Sequence, residues 1–191
     1  MFDDRFLDAV RNRKFYRVDH PNPEEIDLTW ETAIGFLDSH PPKHLTLKQD
    51  KISFIMTCLE LRGSTPLFVK KIIDELKATF PQNRVTAHFF GGLTSESKSF
   101  RIHRDSMDVF YMQILGDIEW SVWEANDPKY YNEDSGKNIT PDQAKKLFTE
   151  RFTCGKMIWI PRGTYHLVEP YNSRIGVSFG IEGEIDPSTY V

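Results

Sequence analysis

The chain has few of the features that mark several large functional classes. Two cysteines, Cys58 and Cys154, among 191 residues cannot build a disulfide scaffold, so two reduced thiols are expected. No apolar stretch approaches the ~18 residues a membrane-spanning helix needs. The opening MFDDRFLDAVRNRKF is charged throughout, unlike a secretory core, and a cytoplasmic protein is expected. Lys70-Lys71 and Lys145-Lys146 are isolated pairs in a chain of net charge -4, so no nucleic-acid or membrane-surface partner is expected. G-x-S-x-G, P-loop and C-x-x-C motifs are missing, as are repeats and low-complexity tracts.

Aromatic residues, at 13%, are plentiful enough for a packed core. Phe2, Phe6 and Val10 recur every fourth residue, which predicts a short amphipathic helix. Lys14–Val18 reads as a strand and Leu28–Leu37 as a helix stopped by Pro41-Pro42. Lys51–Leu61 reads as a strand. Thr65-Pro66 reads as a cap and first-turn proline for a helix burying Phe68, Ile72, Leu76 and Phe80. From Arg84 the texture changes: VTAHFF, FRIHRD, MDVFYMQIL, IEWSVWE, KMIWIP and RIGVSFGI are short, β-branched and aromatic, with GG, LGD, CG, PRG and PYNS turns between them. The expectation is a single α+β, mainly β domain over 1–191. Residues 1–83 form a helical and mixed lead-in and 84–182 a closed or sandwiched antiparallel β core. A loop over Asn126–Asn138 and a helical insertion near 141–151 interrupt that core.

The chemistry concentrates in FRIHRDSMDVFYMQ. In an extended segment residues two apart share a face, so His103 and Asp105 present an imidazole and a carboxylate together. Such a pair alone is compatible with a satisfied core histidine. A second histidine, His166, follows the tight PRG turn of GKMIWIPRGTYH. Two imidazoles and one carboxylate are the minimal facial set for Fe(II) with open positions, whereas zinc favours a fourth tight ligand or a single water.

These segments together, HRD followed by DVFYMQILGDIEWSVWE and then CGKMIWIPRGTYH, resemble the cupin-like Jumonji-C branch of the 2-oxoglutarate oxygenases. The likeness is strongest to its ribosomal oxygenases and the hypoxia-pathway asparaginyl hydroxylase. It covers roughly residues 84–182. It implies a double-stranded β-helix (the cupin or jelly-roll core) with the N-terminal helices packed around it, and His103, Asp105 and His166 as metal ligands. It further implies Fe(II) as cofactor, 2-oxoglutarate as co-substrate and dioxygenase (hydroxylase) activity on a C–H bond. The family usually has a lysine two residues past the glycine of its Q-x-x-G turn, for the far carboxylate of 2-oxoglutarate; this chain has Ile118 there.

An isoleucine cannot pair with a carboxylate, so another cation or another ligand is required. Arg174, Gly176 and Ser178 alternate onto one face of RIGVSFGI, and Arg174 is the candidate substitute, since a guanidinium holds a carboxylate through two parallel bonds. The alternative is a solvent-facing arginine beside the PYNS turn. Tyr111 is either a hydroxyl donor to the co-substrate or a core aromatic, and His88 a pocket-lining candidate. Trp120, Trp123 and Trp159 read as core. Arg101 and Arg104 read as surface charges. Two other readings stay open: a metal cupin that binds its ligand directly without 2-oxoglutarate, favoured by Ile118, and a non-catalytic cupin-like binding protein. The expected partner is a small-molecule or polypeptide substrate, and the expected assembly a monomer or homodimer.

Overall fold

A computed structural model describes residues 2–38, 45–48, 53–58, 65–98, 100–124 and 145–185. The lead-in contains α1 (Asp4–Arg11), β1 (Tyr16–Asp19), a 3-10 turn at Pro23–Glu25, α2 (Trp30–Asp38), β2 (Leu45–Lys48), β3 (Ser53–Cys58) and α3 (Leu67–Thr79). The strands that follow are β4 (Arg84–Gly92), β5 (Asp108–Leu115), β6 (Ile118–Trp123), β7 (Lys146–Phe152), β8 (Lys156–Ile160), β9 (His166–Pro170) and β10 (Arg174–Glu182). They form a seven-stranded sheet in the order β1-β8-β5-β10-β4-β3-β2 and a three-stranded sheet in the order β7-β6-β9. Every strand pair in both sheets is antiparallel. This is the expected double-stranded β-helix.

Side-chain alternation explains why the large sheet is apolar on both faces. Phe110 and Met112 of β5, Met157 and Trp159 of β8, and Val177 and Phe179 of β10 point into one cluster with the helices. Their neighbours Val109, Tyr111, Ile158 and Ile160 point into a second cluster shared with Trp120 and Phe152. The period of two places each residue on its face. Phe6 of α1 anchors the first cluster, edge-on to Phe110 and Trp159 at centroid distances of 6.0 and 5.7 Å. Phe68, Ile72 and Leu76 of α3, with its C-cap Phe80, form the buried stripe that the spacing predicts.

Several expectations give way. Of the helix expected near 141–151, residues 146–151 belong to strand β7; residues 141–144, and the loop over Asn126–Asn138, lie outside the described residues. Phe148 and Phe152 are four apart, a spacing that fits a helix face and also one face of a strand. Pairing along β6, from Ile118–Phe152 to Trp123–Lys146, decides between them. FRIHRD is not a strand either; within it only His103 makes a β-bridge, to His166. Pro66 is the N-cap of α3, and the Thr65 hydroxyl caps nothing. In α2, where Trp30, Ile34 and Leu37 share one side by sequence spacing, Ala33 is buried and Ile34 is exposed.

Candidate metal centre

The two histidines are brought together by their own backbones. His103 N–H donates to the His166 carbonyl at 3.1 Å, and His166 N–H donates to the His103 carbonyl at 2.9 Å. Residues directly opposite in an antiparallel bridge place their side chains on one face, and the ring centroids lie 4.3 Å apart. Asp105, two residues past His103, joins them: its carboxylate oxygens lie 3.8 Å from His103 Nε2 and 3.6 Å from His166 Nε2. Ligand atoms of all three lie within 4.8 Å of one another.

The donor set fits a divalent metal. His103 Nδ1 donates to the Arg101 carbonyl at 2.8 Å and His166 Nδ1 to the Thr164 carbonyl at 3.0 Å. Each ring's proton is thereby held on Nδ1, leaving the Nε2 lone pair facing the carboxylate, as metal-ligating imidazoles require. Burial, reinforced by the neighbouring His103, lowers the His166 pKa to about 4. The imidazole is therefore neutral at physiological pH, the form that ligates.

The triad sits on a cavity of about 190 Å³. Its walls are largely apolar, with Phe90, Phe100, Met107, Val109 and Val168 among them. Arg174 lines it too and is 2% exposed, which removes the solvent-facing reading. Its Nη1 donates to the Ser97 carbonyl at 2.8 Å, and burial depresses its pKa. Space for the guanidinium is made by Gly92, where a Cβ would stand 2.7 Å from Nη1. Ser178 pairs with Tyr111 on one side and His88 on the other, so these three share a row that lines the cavity. Burial keeps the His88 pKa low.

Tyr111 lines the cavity and is buried among core residues, and its hydroxyl is directed at Gln113. Gln113 Nε2 donates to the Leu115 and Gly116 carbonyls at 2.7 and 3.0 Å, which turns Oε1 towards Tyr111. The Tyr111 hydroxyl donates to that oxygen at 2.6 Å. Its proton is committed, and burial raises its pKa further. Its oxygen keeps acceptor lone pairs, and Arg174 is near enough to interact with it electrostatically. Gly176 makes this possible, since a Cβ there would stand 1.8 Å from the Tyr111 hydroxyl. Ile118, where the family usually has lysine, is 0% exposed in the apolar cluster with Val109, Trp120 and Phe152. That packing leaves no place for an ammonium.

Trp120 is core, as expected, and also lines the cavity, with its ring 5.3 Å from that of His166. Its Nε1 is buried with no hydrogen-bond partner among the described residues. Phe100, 44% exposed, lies 5.0 Å from the His103 ring and forms a cavity wall that sequence reasoning missed. Arg101 is exposed, and Arg104 lies over the Tyr165 ring at 5.7 Å.

The comparisons agree with this architecture. The chain is 29% identical over 72 residues to the bifunctional lysine-specific demethylase and histidyl-hydroxylase NO66 of Dictyostelium discoideum, a match covering 37% of this chain and 14% of that protein. It superposes with a TM-score of 0.64 on YcfD, a ribosomal oxygenase from Escherichia coli solved in complex with cobalt and 2-oxoglutarate. That superposition has 13% sequence identity and covers 97% of this chain and 52% of YcfD. The chain thus spans about half of that structure and a small part of the curated relative. The JmjC domain profile matches residues 70–186, more than half of the sequence and all of the triad. The chain belongs to the JmjC domain family.

Proposed function

We infer that this protein is an Fe(II)- and 2-oxoglutarate-dependent oxygenase that hydroxylates a C–H bond of a polypeptide side chain. The observation that carries this reading is the convergence of His103, Asp105 and His166 on a cavity that also holds a buried arginine. Lysyl, histidyl and ribosomal targets in the names of the two relatives support a polypeptide substrate. His103, Asp105 and His166 would hold the iron, which when bound would supply the dioxygen chemistry coupling 2-oxoglutarate decarboxylation, to succinate and carbon dioxide, with insertion of one oxygen atom into the C–H bond.

The chain's own residues do the rest. The Arg101 and Thr164 carbonyls hold both imidazoles as Nδ1–H tautomers, so the rings meet the ion without reorganising. Arg174 would pair with the far carboxylate of the co-substrate, its guanidinium held by the Ser97 carbonyl and given room by Gly92. Ser178 adds a hydroxyl on the same strand. Phe90, Phe100 and Val168 exclude water from the reacting centre and orient the substrate. The test is succinate formation from 2-oxoglutarate in air with Fe(II). Wild type is expected to produce succinate and His166→Ala to produce none; absence of succinate from wild type rejects the reading.

A further inference from the structure

Beyond the three ligands, one buried charge connects both ligand-bearing segments. Asp108 opens β5 three residues after Asp105 and is 2% exposed. Among the described residues it is the one carboxylate in the buried class. A buried carboxylate is tolerated only when paired and hydrogen-bonded, and its partners come from distant parts of the chain. Asp108 Oδ1 accepts the Arg162 backbone N–H at 2.7 Å. The same carboxylate meets the Arg13 guanidinium at 2.7 and 3.0 Å.

Each partner leads somewhere specific. Arg162 begins the turn whose Gly163 N–H donates to the Asp105 carbonyl at 3.0 Å. The next residue, Thr164, supplies the carbonyl that holds His166 Nδ1. Asp108 therefore anchors the turn that fixes the backbone of one ligand and the ring of another. Arg13 stands just beyond α1 with φ +52°, a left-handed conformation that costs energy in a non-glycine residue. The strained residue is held by its contact to Asp108 and by the closing bond from Lys14 N–H to the Ala9 carbonyl at 2.9 Å. Arg13 precedes the segment matched by the JmjC profile.

We propose that Asp108 is a positioning residue of the metal centre and that Arg13, delivered by the N-terminal helix, is its counter-ion. The inference rests on the reading of His103, Asp105 and His166 as metal ligands. The path runs from the Arg13 guanidinium through the Asp108 carboxylate to the Arg162-Gly163-Thr164 turn, and from there to Asp105 and His166. Loosening it leaves the ligands present but less well aimed, which weakens metal affinity without removing a donor.

The experiment is Co(II) titration of the metal-free protein against a fluorescent chelator, well below the melting temperature, with the apo melting temperature recorded in parallel. Wild type is expected to bind one Co(II). Arg13→Gln and Asp108→Asn are each expected to weaken binding by about 10- to 100-fold, and the double variant no more than Asp108→Asn alone, because both act along one path. Arg13→Lys keeps the charge but not the forked geometry and is expected to fall between. Arg17→Gln removes the ion pairs to Asp19 and Glu150 and is expected to leave affinity unchanged. Should Asp108→Asn fail to fold, Arg13→Gln carries the test, since the Arg13 side chain is 38% exposed. Variants that bind Co(II) like wild type, even with lowered melting temperatures, would overturn the positioning role. A wild-type chain that binds no Co(II) would overturn the metal reading itself, and the positioning role with it.

Discussion

Replacing Arg174 by methionine separates co-substrate recognition from folding. The guanidinium is buried beside the triad, with Nη1 2.8 Å from the Ser97 carbonyl. In the unliganded protein two effects of the replacement oppose each other. Losing the buried hydrogen bond to the Ser97 carbonyl costs about 1–3 kcal/mol. Removing a buried charge, one whose burial already depresses its pKa, recovers its desolvation cost and offsets that loss. The apo melting temperature is therefore expected to move by only a few degrees. In the complex nothing offsets the loss: truncating one partner of a buried charge pair costs about 2–5 kcal/mol, or roughly 30- to 5,000-fold in 2-oxoglutarate affinity. Isothermal titration of 2-oxoglutarate into the Co(II)-loaded protein, under nitrogen, measures it. Arg174→Lys is expected to retain part of the affinity as a point charge. An Arg174→Met protein that binds 2-oxoglutarate like wild type would refute the assignment of the far carboxylate to this strand.

Three further outcomes follow from the packing. Gly176→Ala places a methyl group 1.8 Å from the Tyr111 hydroxyl; breaking the Tyr111–Gln113 bond is expected to cost about 1–3 kcal/mol, read by denaturant unfolding, together with weaker 2-oxoglutarate binding. Phe6→Ala opens a cavity against Phe110 and Trp159 and is expected to destabilise by about 3–5 kcal/mol, a fall in melting temperature of roughly 6–20 °C at this chain length. Because the core is packed independently of the triad, chelation of the metal is expected to leave a folded protein. Co(II) at about a hundred times its dissociation constant then adds about 2.7 kcal/mol, or roughly 5–11 °C in a thermal scan; an unfolded apo chain by circular dichroism would contradict this.

Much of the site was legible because its signals are local. His103 and Asp105 sit two apart, and His166 follows a glycine turn in an unusual context. The alternation in β10 separates Arg174 and Ser178, on the cavity, from Val177 and Phe179 in the core. What escaped depends on contacts distant in sequence. The Phe148/Phe152 spacing suits either period, and only β6 makes the segment a strand. FRIHRD has strand composition, yet its backbone is taken up by the Gly163–Asp105 bond and the single bridge to His166. The direction of the Tyr111 proton follows from the Gln113 amide, whose orientation is fixed by two backbone carbonyls. The Arg13–Asp108 pair joins residues with no shared local pattern.

The central claim is that iron and a 2-oxo acid meet at this triad. Anaerobic titration of 2-oxoglutarate into the Fe(II)-loaded protein tests it most directly, through the visible metal-to-ligand charge-transfer band of the chelate. The expected result is a saturable band in wild type that needs far higher co-substrate in Arg174→Met and is lost in His103→Ala and Asp105→Ala. No band in wild type at saturating iron and millimolar 2-oxoglutarate would contradict the account and point to a ligand that binds the metal directly.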